Sequence, residues 1–175
     1  MNIVAFAASN SKKSINKKLA TYAASLVDDA SVEVLDLNDY ELPLFSTDKE
    51  AELGQPELAQ NFLDKLAGSD AIIVSFAEHN GSYTAAFKNL FDWCSRITRQ
   101  VYHDKPMLVL ATSPGAGGAA NILSAATNSM SHFAGDVKGS FSLPNFYDNF
   151  DVESNQIKDA ALVAQLKEQV EKLAL

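Results

Sequence analysis

Residues 8–20 read ASNSKKSINKKLA, a turn rich in hydroxyls and lysines that joins an apolar run to an amphipathic one. The preceding stretch, Ile3-Val4-Ala5-Phe6-Ala7, is short and apolar and ends in small residues, as a buried parallel strand does. Beyond the turn, Ile15, Leu19, Tyr22, Ala23 and Leu26 recur at i, i+4, i+7, i+8 and i+11, the stripe of a helix packed on a sheet. The turn therefore joins the carboxyl end of a strand to the amino end of a helix, where unpaired backbone N–H groups and the helix dipole both favour an anion. Ser9, Ser11 and Ser14 add hydroxyl donors, Asn16 an amide, and Lys12 and Lys13 mobile positive charge. Serines before a helix also act as N-caps, and loop lysines are commonly solvated, so local chemistry leaves both readings open.

The rest of the chain repeats the strand-then-helix pattern. Val32–Leu37 is an expected second strand, followed by a long loop that holds Leu42-Pro43-Leu44-Phe45. Leu58, Phe62 and Leu66 stripe a helix opened by Pro56. Ala71–Phe76 is the strongest buried-strand signal, and Phe87, Leu90, Phe91, Cys94 and Ile97 stripe the next helix. Met107–Ala111, a helix from Ala119 to about Phe133, a strand over Val137–Leu143 and a closing helix with Leu162, Leu166, Val170 and Leu173 complete the series. Five strands separated by helices predict an α/β fold, a five-stranded parallel sheet with helices on both faces, because right-handed crossovers force that packing. Ligands in such sheets bind outside the carboxyl ends of the strands, where strand order reverses. The loops Ala8–Asn16, Ala77–Thr84 and Ser113–Ala119 would meet there.

Composition narrows the function. The chain has 175 residues and is 47% hydrophobic, enough for one domain over 1–175 with a full core. A net charge of -8 and a pI near 4.8 argue against a nucleic-acid surface, which needs clustered cations. No run approaches the roughly 20 apolar residues of a membrane span, and no basic, apolar leader opens the sequence, so a cytoplasmic protein is expected. Cys94 is the one cysteine, so neither an internal disulfide nor a Cys cluster can form. On the apolar face of its helix it reads as a buried, inert thiol.

Two loops carry further chemistry. Glu78, His79, Asn80 and Ser82 crowd polar groups around Gly81, where a planar ligand could approach. His79 has no second ligand-type residue spaced for a metal, and none is expected. Residues 113–119, SPGAGGA, formally meet a GxGxxA dinucleotide fingerprint through Gly115, Gly117 and Ala120. That fingerprint belongs to a first strand, with an acid ending the next; Asp136 is at a suitable distance but precedes its strand. A glycine wall admitting an aromatic ligand fits better.

Together the three loops resemble the NADPH-dependent FMN reductase family, which includes related quinone, azo and chromate reductases of flavodoxin-like fold. The first loop is similar to the motif GSxRxxSxNxxLA through Ser9, Ser14, Asn16, Leu19 and Ala20. The second is similar to PEYNxSxxxxLKNxxDW through Glu78, Asn80, Ser82, Lys88, Asn89, Asp92 and Trp93. The third resembles SxGxxGG through Ser113, Gly115, Gly117 and Gly118, and Leu42–Phe45 resembles LPLY. Ala8, Ser11, Ala77 and His79 stand where those motifs have glycine, arginine, proline and tyrosine; at Ser11 this removes a charge-assisted phosphate contact.

The resemblance implies FMN, with its phosphate at Ser9, Ser11, Ser14, Ile15 and Asn16. Its isoalloxazine would lie between Glu78, His79, Asn80, Gly81, Ser82 and Tyr83 on one side and Ser113, Gly115, Gly117 and Gly118 on the other. It further implies NADPH or NADH as donor and a quinone, azo compound, free flavin or similar small molecule as acceptor. The flavin carries the chemistry, so no catalytic acid, base or nucleophile is expected. A homodimer or homotetramer is also implied, since relatives commonly place the flavin near a dimer interface. Phe146, Tyr147 and Phe150 could supply that surface or form a satellite cluster under a loop. Two other readings stay open: an electron carrier without NAD(P)H oxidase activity, which acidity would suit, and a flavin-less member of the family.

Overall fold

The burial of the first strand on both faces sets the architecture. In the computed structural model, which describes residues 1–174, Asn2–Ala8 forms β1, and every residue in it but Asn2 is buried. Val4, Phe6 and Ala8 face one layer of helices, while Ile3 and Ala5 face the other. Such two-sided burial makes an unbroken apolar run, since period-two alternation no longer separates core from solvent.

The elements follow in strict alternation at first: α1 (Ile15–Ser25), β2 (Ser31–Leu35), a 3-10 turn (Leu37–Tyr40), α2 (Thr47–Leu53), α3 (Glu57–Ala67), β3 (Ala71–Phe76) and α4 (Ala85–Ile97). Then come β4 (Lys105–Thr112), α5 (Ala120–Met130), a 3-10 turn (Ser131–Phe133) and β5 (Gly135–Leu143). A short α6 (Phe146–Asn149), a hairpin of β6 (Phe150–Asp151) and β7 (Gln156–Ile157), and α7 (Ala160–Glu171) end the series.

The large sheet is parallel throughout, in the order β2-β1-β3-β4-β5. After β2 the chain crosses to the far side of β1, so strand order reverses between β1 and β3. Helices α3, α4 and α5 cover the face bearing Val4, Phe6, Ile72, Val74 and Val109; α1 and α7 cover the face bearing Ile3, Ala5, Ile73 and Leu108. This is the doubly wound flavodoxin-like arrangement the alternating pattern predicts.

Three readings need correction. The run Val32–Leu37 is a strand only to Leu35, because the Asp36 carboxylate accepts the Asn38 N–H (2.9 Å) and caps the 3-10 turn instead. The long loop after it contains α2, which buries none of its residues and so writes no apolar stripe. Its signals were the Ser46 cap on the Lys49 N–H and Gly54 at φ 69° beyond the last turn. Finally, Phe146 and Phe150 are fully buried and stacked, with centroids 4.7 Å apart, so neither supplies an outer surface; Tyr147 alone stays exposed.

Candidate functional site

The β1–α1 turn is a ring of donors with few internal acceptors. Ser14 is the N-cap of α1, its Oγ accepting the Lys17 N–H (3.1 Å). Ser9 Oγ accepts the Ser11 N–H (3.2 Å), and the Ser11 carbonyl accepts the Ser14 N–H (3.1 Å), which closes the turn. Both hydroxyls act here as acceptors, so each O–H is left to donate outward. The Ser11 side chain is exposed, and the backbone N–H groups of Ile15 and Asn16 meet no acceptor among the described residues. Capping and anion binding are therefore compatible, because one serine oxygen serves the helix while its proton faces the cleft.

Asn16 is the bolt under this turn. Its Nδ2 donates to the Thr112 carbonyl (3.2 Å), and its Oδ1 accepts both the Thr112 N–H (3.1 Å) and the Ser75 hydroxyl (2.7 Å). The side chain is 2% exposed, so its amide fixes α1 over the ends of β3 and β4, and its backbone N–H is what it turns to the cleft. Thr84 does similar work: its hydroxyl donates to the Ala8 carbonyl (2.9 Å) while accepting the Phe87 N–H to cap α4. Among the described residues, the buried serine, threonine and asparagine side chains other than Ser69 lie at this sheet edge. Buried polar groups cost stability unless paired, and here they pair across three strands. Ser75, Thr84 and Thr112 escaped the sequence reading; a lone hydroxyl near the end of an apolar strand was the only signal for Ser75 and Thr112, and a threonine before a helix for Thr84.

The β3–α4 loop is a tight reverse turn. His79 and Ser82 exchange backbone hydrogen bonds (3.0 and 3.1 Å) around Asn80 and Gly81, at φ 53° and 76°. Two central residues at positive φ define a type I′ turn, for which Asn-Gly is the strongest short signal. Asn80, Gly81 and Ser82 thus stand exposed at the tip. Glu78 points elsewhere: its carboxylate accepts the Ile122 N–H (3.0 Å) and contacts the Asn121 amide (3.4 Å), capping α5 from another loop because Ala119 has no capping side chain. Tyr83 turns away as well, packed on Phe76 and Phe87 with its hydroxyl 3.1 Å from Ser129 Oγ.

In the third loop, the Gly115 carbonyl accepts the N–H groups of Gly118 (3.2 Å) and Asn145 (2.9 Å). Gly118 is buried at φ 55°, and a Cβ there would overlap Ser142 Oγ, so this glycine serves the packing of β5. Gly115 and Gly117 face open space. The three loops meet in a cleft of about 250 Å³, lined by Ser9, Ser11, Lys13, Ser14, Ile15, Asn16, Glu78, His79 and Ser113, with Tyr147 reaching in from α6. Of the expected residues, Asn80, Gly81, Ser82, Gly115, Gly117, Gly118 and Tyr83 lie outside that lining.

Outside the cleft, Asn89 and Trp93 of α4 clamp the Leu42–Phe45 segment. Asn89 Oδ1 accepts the Phe45 N–H (2.8 Å), its Nδ2 donates to the carbonyls of Leu42 and Pro43 (3.1 Å each), and Trp93 Nε1 donates to Pro43 (2.7 Å). Cys94 lies beneath, its thiol pushed up to about 12 by burial, which makes it inert.

Residues 1–148 match the NADPH-dependent FMN reductase family. The chain belongs to that family. Among its relatives, a 2-hydroxy-1,4-benzoquinone reductase of a Burkholderia species is 37% identical over 111 residues, 62% of this chain and 58% of that protein. An uncharacterized protein of Mycoplasma pneumoniae is 30% identical over 149 residues, covering 82% and 87%. FerB, a flavoenzyme NAD(P)H:(acceptor) oxidoreductase of Paracoccus denitrificans, superposes with a TM-score of 0.76 at 26% identity over 98% of this chain and 94% of that one. The matches span little more than half the length of several curated relatives, 58% for the Burkholderia reductase and 57% for a quinone reductase of Pseudomonas putida. For this FMN reductase family member, the Asn89 and Trp93 clamp explains why the LPLF segment and the LKNxxDW-like motif occur together: one holds the other.

Proposed function

We propose that this family member is a single-domain flavoenzyme that binds FMN in the three-loop cleft and passes reducing equivalents from NADPH or NADH to a quinone, azo compound, free flavin or similar acceptor. The observation that carries the reading is the donor set around the start of α1. Three serine hydroxyls and the N–H groups of Ile15 and Asn16 converge without internal acceptors, with Lys13 alongside. A phosphate dianion needs several donors and a positive local field, and a helix start supplies both. The one carboxylate lining the cleft, Glu78, is engaged with the start of α5, which keeps its charge off the phosphate position. A cleft of about 250 Å³ suits a phosphate and its sugar chain. The flat ring is then assigned to the open side, between the His79–Ser82 turn and the exposed Gly115 and Gly117.

Bound there, FMN would supply the two-electron redox chemistry that the side chains lack. The protein's part is to fix the phosphate, keep the ring between two loops and leave one ring face open to donor and acceptor. A second copy of the chain is the partner we infer for the hollow of about 240 Å³ between α4 and α5. That hollow is walled by the partly exposed rings of Tyr83, Phe91 and Phe133 over the buried Phe87 and Tyr102, an apolar surface a second copy could cover. A cytoplasmic location suits an enzyme that draws on NAD(P)H.

The test is a fluorescence titration of FMN with the purified protein, followed by steady-state NADPH oxidation with an added quinone. Quenching at one FMN per chain together with quinone-dependent turnover is expected. Absence of quenching at saturating FMN removes the flavin reading; quenching without turnover favours an electron carrier instead.

A further inference from the structure

Tyr147 is the one residue lining the cleft that comes from the segment after β5, and the sequence offered it only as part of an aromatic subunit surface or satellite cluster, not as a ligand contact. Its neighbours Phe146 and Phe150 are 0% and 2% exposed, while Tyr147 is 62% exposed. Most of this large ring stands in water on a four-residue helix. The base under it is nevertheless rigid. Phe146 N–H donates to the Ser113 carbonyl (3.1 Å), Asn149 Nδ2 to the Pro144 carbonyl (2.8 Å), and Lys158 Nζ reaches the Tyr147 carbonyl (3.4 Å). The Phe146 ring stacks on Phe150, and the Tyr147 ring meets Phe146 edge-on at 5.4 Å and 88°. An aromatic side chain held this way loses little freedom on contacting a ligand.

Tyr147 lines the same cleft as the donors already described. Helix α1 packs across β3 and β4, Asn16 near its start is bonded to Thr112 at the end of β4, and the carbonyl of the next residue, Ser113, accepts the Phe146 N–H beside Tyr147. Tyr147 therefore shares the cleft with Ser11, Lys13 and Ser14. Ser9, Ser11, Lys13 and Ser14 of the β1–α1 turn are donors there, as are His79 and Ser113 of the other two loops, and no hydrogen bond engages the Tyr147 hydroxyl among the described residues. We propose that Tyr147 closes the phosphate end of the cleft from the opposite wall and donates its phenol hydroxyl to the phosphate of FMN. This rests on the flavin reading above and adds a positioning residue to it. Through that contact the enzyme distinguishes a phosphorylated flavin from an unphosphorylated one.

The experiment compares FMN with riboflavin, which has the same ring and sugar chain but no phosphate. Dissociation constants for both are measured by fluorescence titration in the wild type and in Tyr147→Phe, with melting temperature as the fold control. Tyr147→Phe is expected to weaken FMN about tenfold, the size of one hydrogen bond to a charged acceptor. Riboflavin affinity and melting temperature should not move. Unchanged FMN affinity, or an equal loss for both flavins, overturns the phosphate contact. A wild type that binds neither flavin overturns the parent reading and this one with it, so the two failures are told apart.

Discussion

At Ser14 one atom does two jobs: Oγ accepts the Lys17 N–H to cap α1, while its proton is free for a ligand. Aspartate also caps well but brings a charge that would repel a phosphate. Ser14→Asp should therefore keep the melting temperature within a few degrees and abolish FMN binding by titration calorimetry. Unchanged affinity would put the phosphate elsewhere. Asn16 marks the limit of reading residues singly. Its type and its place at a helix start suggested an amide for a ligand, but its partners Ser75 and Thr112 lie 59 and 96 residues away in sequence. Hydrogen bonding of that range is invisible until the sheet assembles.

Among the elements, α4 shows how an apolar stripe and a polar clamp share one helix. Leu90 and Cys94 face the core, while Asn89 and Trp93 hold the Leu42–Phe45 backbone by four hydrogen bonds. Removing the Asn89 side chain leaves the Phe45 N–H and the Leu42 carbonyl without their partner, while Pro43 keeps Trp93, in a partly solvated place where water can replace some of what is lost. Asn89→Ala is expected to cost about 1–3 kcal/mol. Faster amide exchange should be confined to residues 42–45, while β3 and β4 stay protected. Exchange that rises across the whole sheet would mean the segment is part of the global folding unit. The central strands were legible as unbroken apolar runs because they are buried on both faces, and the major helices because each buries one face and so writes a period. Helix α2 and the β6–β7 hairpin were not, since α2 buries nothing and each hairpin strand has two residues.

At the scale of the whole molecule, a charge of -8 coexists with four lysines between residues 12 and 18. One of them, Lys17, pairs with Asp36 at 2.7 Å and ties α1 to the end of β2. That hydrogen bond is the main reason the Asp36 carboxyl is held down to about 2. The folded value lies below the unfolded value of about 3.9, so the pair's stabilisation is complete above about pH 4 and is lost as pH falls toward 2. Both side chains are about a third exposed, which limits the effect. Asp36→Asn keeps an acceptor for the Asn38 N–H and should lose under about 1 kcal/mol at pH 7. Urea unfolding should show the gap from wild type closing between pH 4 and pH 2; a gap independent of pH would assign it to the cap, not the charge.

The sequence by itself determined the layered α/β plan, the order of its strands and helices, and the three loops that meet at the carboxyl edge of the sheet. Each is written locally, in apolar periods, caps and turn residues whose energetics act over a few positions. Only the tertiary structure decided which loop residues face a ligand. It withdrew the side chains of Asn16, Glu78 and Tyr83 to partners on other elements, placed Gly118 beneath β5, and brought Tyr147 across to the cleft. The reason is that a buried polar group must find a partner wherever the fold places one, and parallel crossovers bring together residues separated by tens of positions in the chain.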